Sequence, residues 1–170
     1  MSFDTFAPGA VPARALPQGP EARLAALGVT LPPAPEPVGN FVGHRRAGQL
    51  LFLSGQGPVE ADGRLHTGKV GTEVGVDEAY RHARLTGLNL LAVMREALGD
   101  LDRVDCVVKL LGLVNAAPDF TRHPTVINGC SDLLLDVFGA AGVHARSAIG
   151  VGSLPNNITV EIEAIVAVKD

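Results

Sequence analysis

HARSAIGVGSLPNNITVEIEAIVAV, residues 144–168, divides into two strands and a turn. Arg146 to Val151 reads as the first strand and Thr159 to Val168 as the second. Leu154-Pro155-Asn156-Asn157 supplies turn residues between them. In the second strand Val160, Ile162, Ala164, Val166 and Val168 fall on one face by period-two alternation. Thr159, Glu161 and Glu163 begin the other row, which then turns apolar at Ile165 and Ala167. A row that begins charged and ends apolar predicts a second burial surface, such as a subunit interface. A hairpin here would set Arg146 across from Glu161. The pair then reads either as a register-fixing ion pair or as an anion-binding arginine beside a proton-handling carboxylate. Spacing alone favours the ion pair.

Upstream, Val76 to Leu98 predicts a long amphipathic helix. Asp77 and Glu78 lie in its first turn and Gly99 stops it. Tyr80 and Met94 are assigned to its core face and His82 to its solvated side. Val104 to Val114 reads as a long buried strand, and Thr125 to Phe138 as a second helix after a break at Pro124. His123 is expected in an exposed loop. Phe41 to Arg46 and Leu50 to Ser54 are the first two strands. The order strand, strand, long helix, strand, helix, strand, strand predicts an α+β fold: a mixed sheet with both long helices on one face. Ahead of this domain, residues 37–170, lies a segment at 1–36. It holds an irregular arm over residues 1–19, a short helix from Pro20 to Leu27, and a stiff connector at Leu31 to Pro37.

The chain has 170 residues, 46% hydrophobic and 19% charged, which suits one core. A net charge of −4 with no basic run argues against a nucleic-acid surface. No apolar run reaches a membrane span and no secretory signal pattern opens the chain. Cys106 and Cys130 fall on different elements and read as free thiols in a reducing cytosol, so the expected location is cytoplasmic. No Cys/His spacing suits zinc and no phosphate loop occurs, so no metal or cofactor is expected.

Three separated pieces of the C-terminal stretch, Ala145-Arg146-Ser147, Leu154-Pro155 and Glu161-Ile162-Glu163-Ala164-Ile165, resemble the signature of the Rid family, also called YjgF. Ser54-Gly55-Gln56 resembles the same family's S-G-Q element, and Asn128 matches an asparagine near its substrate site. The resemblance covers roughly residues 37 to 168. It implies a chorismate-mutase-like fold and a homotrimer whose sheets form a central barrel, with sites in the clefts between subunits. The implied activity is hydrolysis of reactive enamines and imines of amino acids, of the 2-aminoacrylate type, to 2-keto acid and ammonia.

The resemblance assigns Arg146 to the substrate carboxylate, which a guanidinium fork grips bidentately. It assigns Glu161 to the attacking water. Ser54, Gly55, Asn128 and Ser147 would complete the pocket. Phe41 stands where the family has a site tyrosine, keeping an apolar wall without the hydroxyl. Read from the residues alone, Ser54 equally suits a strand-end cap and Asn128 a helix-terminal cap. A small-carboxylate binder without turnover and a ribonuclease are the other functions in view. The acidic balance weighs against the ribonuclease.

Overall fold

The computed structural model describes residues 19–170. The arm expected over residues 1–19 lies, but for Gly19, outside them. The elements in order are α1 (Pro20–Ala26), β1 (His44–Ala47), β2 (Leu50–Gln56), α2 (Val76–Leu98), β3 (Val104–Asn115), α3 (His123–Phe138), β4 (Ala145–Val151) and β5 (Val160–Val168). The five strands form one mixed sheet in the order β1-β2-β5-β3-β4, and α2 and α3 cover one face of it. All neighbours pair antiparallel except β3 with β4, which run parallel. Parallel pairing needs a crossover, and α3 supplies it. No helix among the described residues is long and apolar enough to cross a membrane.

The C-terminal hairpin expected from residues 144–168 does not form. The α3 crossover delivers β4 to the outer edge of β3, so the next segment must pass over β3 before pairing. It enters the slot between β2 and β3, which makes β5 the central strand. Its even residues Val160, Ile162, Ala164, Val166 and Val168 are buried against the helices, as the alternation predicts. The turn expected at Leu154–Asn157 is present. Asn156 and Asn157 adopt positive φ (53° and 56°), a conformation asparagine tolerates better than most residues.

The core lies between that face and the helices. Leu51, Leu53, Leu110 and Ile162 meet Leu90, Leu91, Met94 and Ile127, all at or near full burial. The two helices approach closely where Gly129 of α3 faces the Tyr80 carbonyl of α2; a Cβ there would collide with that oxygen. The Tyr80 side chain, assigned to the core from the sequence, is only partly buried. Its hydroxyl donates to Asp132 at 2.8 Å on the rim of the helix pair.

Other boundaries shift for local reasons. α3 starts at His123, because Pro124 occupies its first turn, where a missing N–H costs nothing. β1 starts at His44, which releases Phe41 from the sheet. His82 is buried rather than solvated. The segment between β2 and α2 folds over that flank, stacking His66 on His82 with ring centroids 4.3 Å apart. His82 Nδ1 also lies 3.1 Å from Thr159 Oγ1.

Candidate functional site

β2 carries one extra residue between Leu53 and Gln56. Those two pair with Ala164 and Ile162, so three steps on β2 face two on β5. This bulge turns Ser54 and Gly55 out of the regular ladder. Gly55 then lies directly beneath Glu161, whose Oε1 fills the place a Cβ would take. Ser54 is spent on structure: its hydroxyl donates to Val42 O at 2.7 Å and its N–H to Gly43 O at 3.0 Å. Both bonds tie the Phe41–Gly43 segment to the end of β2.

A cavity of about 300 Å³ opens over this point. Phe41, Gly55 and Glu161 line it together with Val38, Leu65 and Ile158. The connector contributes Pro35 and Pro37, and the β4–β5 turn contributes Pro155 and Asn156. The walls are chiefly apolar, with the carboxylates of Glu161 and Glu36 and the amide of Gln56 among the polar side chains. Glu161 is half-buried and, among the described residues, has no hydrogen-bond or ion-pair partner. Burial pushes its carboxyl above the usual range, and the neighbouring Glu163 charge pushes the same way.

Arg146 stands elsewhere. It pairs with Leu110, which pairs with Ala164, so its side chain is on the helix-covered face at the outer strand. Glu161 pairs with Leu113 on the opposite face, with β3 between the two strands. The cross-strand ion pair is therefore absent from the single chain. Arg146 Nη1 donates instead to Asn128 Oδ1 at 2.8 Å and to Ser131 Oγ at 2.9 Å, and Nη2 reaches Pro124 O at 3.4 Å. Asn128 lies in the second turn of α3, not at its cap. Ser147 points to the open face, where its Oγ accepts from Lys109 Nζ at 3.1 Å.

The expected residues thus separate within one chain. Phe41, Gly55 and Glu161 share the cavity, Ser54 buttresses its wall, Arg146 and Asn128 form a second cluster, and Ser147 joins neither. Ser131 and His144 belong to the second cluster and were not foreseen. Part of the signal was available: Ser131 is three residues after Asn128 on one helix face, whereas His144 precedes β4, where no periodicity applies.

Residues 21–165 match the family described as "YjgF/chorismate mutase-like, putative endoribonuclease". Protein TCP17 of Trypanosoma cruzi is 44% identical over 150 residues, covering 88% of this chain and 94% of its own. The 2-iminobutanoate/2-iminopropanoate deaminase of Dermatophagoides farinae is 30% identical over 142 residues, covering 83% of this chain and 95% of its own. The crystal structure of Atu1372 from Agrobacterium tumefaciens, a protein of unknown function, superposes with a TM-score of 0.80 at 45% identity, covering 88% of this chain and 94% of that one. The Ala145-Arg146-Ser147, Leu154-Pro155 and Glu161–Ile165 pieces, set on one mixed sheet backed by two long helices, accord with these matches, and the chain belongs to the YjgF/Rid family.

Proposed function

We propose that the protein hydrolyses reactive imines of amino acids to 2-keto acids and ammonia, with Glu161 handling the attacking water and Arg146 holding the carboxylate. The observation that carries this reading is the partnerless, half-buried Glu161 carboxylate at the wall of a largely apolar cavity. A carboxylate whose proton affinity is raised is a stronger base near neutral pH than an ordinary one. Glu161 takes a proton from water as the oxygen bonds to the imine carbon. Glu161 passes that proton to the imine nitrogen to give a neutral amino alcohol, then carries the hydroxyl proton to the same nitrogen as the C–N bond breaks, so ammonia leaves and the carbonyl forms. The imine side chain rests against Phe41, Val38 and Leu65, and no metal or organic cofactor is required.

Arg146 and Glu161 sit on opposite faces of the sheet in one chain, so both can act on one small substrate only if a second copy contributes one of them. The open face favours such an assembly. It exposes Phe52 (40%) and Ile149 (48%) and carries Ile165, Leu111 and Leu113 beside them. A homotrimer with sites at the subunit clefts meets this need, and a small carboxylate is the ligand.

The test is hydrolysis of freshly generated 2-iminopropanoate and 2-iminobutanoate by wild type, Glu161→Gln and Arg146→Ala, beside the oligomeric mass in solution. Turnover lost in both variants is expected. Equal turnover in all three proteins would refute the residue assignment, and a monomer at assay concentration would refute the shared cleft. Phe41 favours a second reading, a carboxylate binder without turnover, because the cavity lacks a hydroxyl at that wall. Binding of a 2-keto acid with no imine turnover, and turnover gained by Phe41→Tyr, would establish it. The endoribonuclease in the family description has less behind it here: the net charge is −4 and the cavity walls carry no basic groove.

A further inference from the structure

Arg146 is held by a directed chain of hydrogen bonds. An arginine only donates, so the asparagine oxygen, not its amide nitrogen, must face it at Asn128. The second Nη1 hydrogen goes to Ser131 Oγ, which leaves the Ser131 hydroxyl hydrogen to be donated onward. Its receiver is His144 Nε2, 3.0 Å away. That nitrogen can accept only if the imidazole is neutral with its proton on Nδ1. The other side of the ring meets this condition: Nδ1 lies 2.6 Å from the Gly142 carbonyl, which can only accept. Burial lowers the His144 pKa below its ordinary value and outweighs the raising effect of the Gly142 bond, while the Arg146 charge lowers it further. From α3, Cys130 is the other titratable group near Arg146, and burial pushes its thiol up to about 12, so it stays neutral. Every donor and acceptor from Gly142 O to Arg146 Nη1 therefore has a single assignment.

The consequence lies at the other edge of the guanidinium. Both Nη1 hydrogens are committed, while Nη2 makes one long bond to Pro124 O. Nε has no partner among the described residues. The Nε–Nη2 edge is the one that grips a carboxylate side-on with two parallel N–H···O bonds. We propose that Ser131 and His144 are positioning residues, which lock the Nη1 edge of Arg146 so that its Nε–Nη2 edge is presented to the substrate carboxylate. This rests on the carboxylate-binding reading of Arg146. Neither residue touches substrate; His144 acts through Ser131, and Ser131 through the guanidinium.

Calorimetric binding of 2-oxobutanoate, with the uncharged 2-oxobutanamide beside it, tests this in the full chain. Wild type is expected to prefer the acid by at least about tenfold, the worth of a charge-assisted hydrogen bond. Ser131→Ala should weaken the acid about tenfold and leave the amide unchanged. A merely structural defect would weaken both. His144→Gln places an amide oxygen where Nε2 accepts and should stay within about threefold of wild type. His144→Asn keeps only the Gly142 bond and should lose affinity as Ser131→Ala does. Should Ser131→Ala fail to fold, the Gln and Asn pair still decides. Wild-type affinity in Ser131→Ala, or equal losses in His144→Gln and His144→Asn, would overturn the positioning role and leave the carboxylate reading intact. Wild type binding neither compound would remove both.

Discussion

Glu161 Oε1 occupies the space that a Cβ on Gly55 would need. The φ of Gly55 is not in the left-handed region, so the backbone there accepts any residue and the conflict is steric alone. Gly55→Ala should therefore displace the carboxylate without undoing the bulge. The expected result is imine turnover reduced by more than about tenfold, since a shift of about 1 Å in a reacting group has that effect. The melting temperature should change by only a few degrees. Full turnover in Gly55→Ala would show that Glu161 does not act from this position.

The upward push on Glu161 has two sources, burial first and the Glu163 charge second. If Glu161 acts as a base, kcat/KM must rise with pH along an acid limb whose midpoint lies above the ordinary carboxylate range. Removing the negative neighbour makes deprotonation easier, so Glu163→Gln should move that midpoint to lower pH. Burial remains, so the midpoint should not return fully to the ordinary value. A pH–rate profile for both proteins checks the sign, and a limb that moves upward contradicts the assignment.

Much of this was legible from residue patterns. Val76–Leu98 was recovered to the residue, because a wide apolar stripe with acidic residues at one end and glycine at the other leaves little choice. The even face of β5 and the Glu161–Glu163 row were likewise visible from period two. The partner of β4 was not. Alternation tells which face a residue takes and says nothing of which strand lies alongside. Arg146 and Glu161 were placed opposite each other only by assuming that neighbours in sequence pair. The burial of His82 was hidden for a related reason: the covering segment at 57–74 has no periodicity of its own. Gly129 was invisible as a packing residue, since its role depends on where α2 passes.

Gly129 faces the Tyr80 carbonyl so closely that a methyl group cannot enter without parting α2 from α3. Gly129→Ala improves intrinsic helix propensity by about 1 kcal/mol, which on an exposed helix would stabilise. Here overpacking opposes it, at about 1–3 kcal/mol or more, because the colliding atom is backbone and has no rotamer to change. Set against the propensity gain, this leaves an expected net loss of up to about 2 kcal/mol in urea unfolding. A stabilised variant would mean that the helices yield more easily than their core contacts imply.

His82 sets a pH limit on the fold. Burial, then the neighbouring His66 charge, lowers its pKa to about 4, against about 6.5 in an unfolded chain. Between those two values the unfolded state binds more protons than the folded one, so stability must fall as pH drops through that window. From pH 7 to pH 5 this single group accounts for no more than about 2 kcal/mol. Glu60, bonded to His66 at 2.8 Å, and Glu78, 3.9 Å from His82 Nε2, partly offset the penalty by favouring protonation. His82→Asn removes the titrating group while keeping an amide near the place of Nδ1, from which it can bond Thr159. Its urea midpoint should therefore change less between pH 7 and pH 5 than that of wild type, even if it is less stable at pH 7. Parallel losses in the two proteins over that range would assign the acid sensitivity to another group.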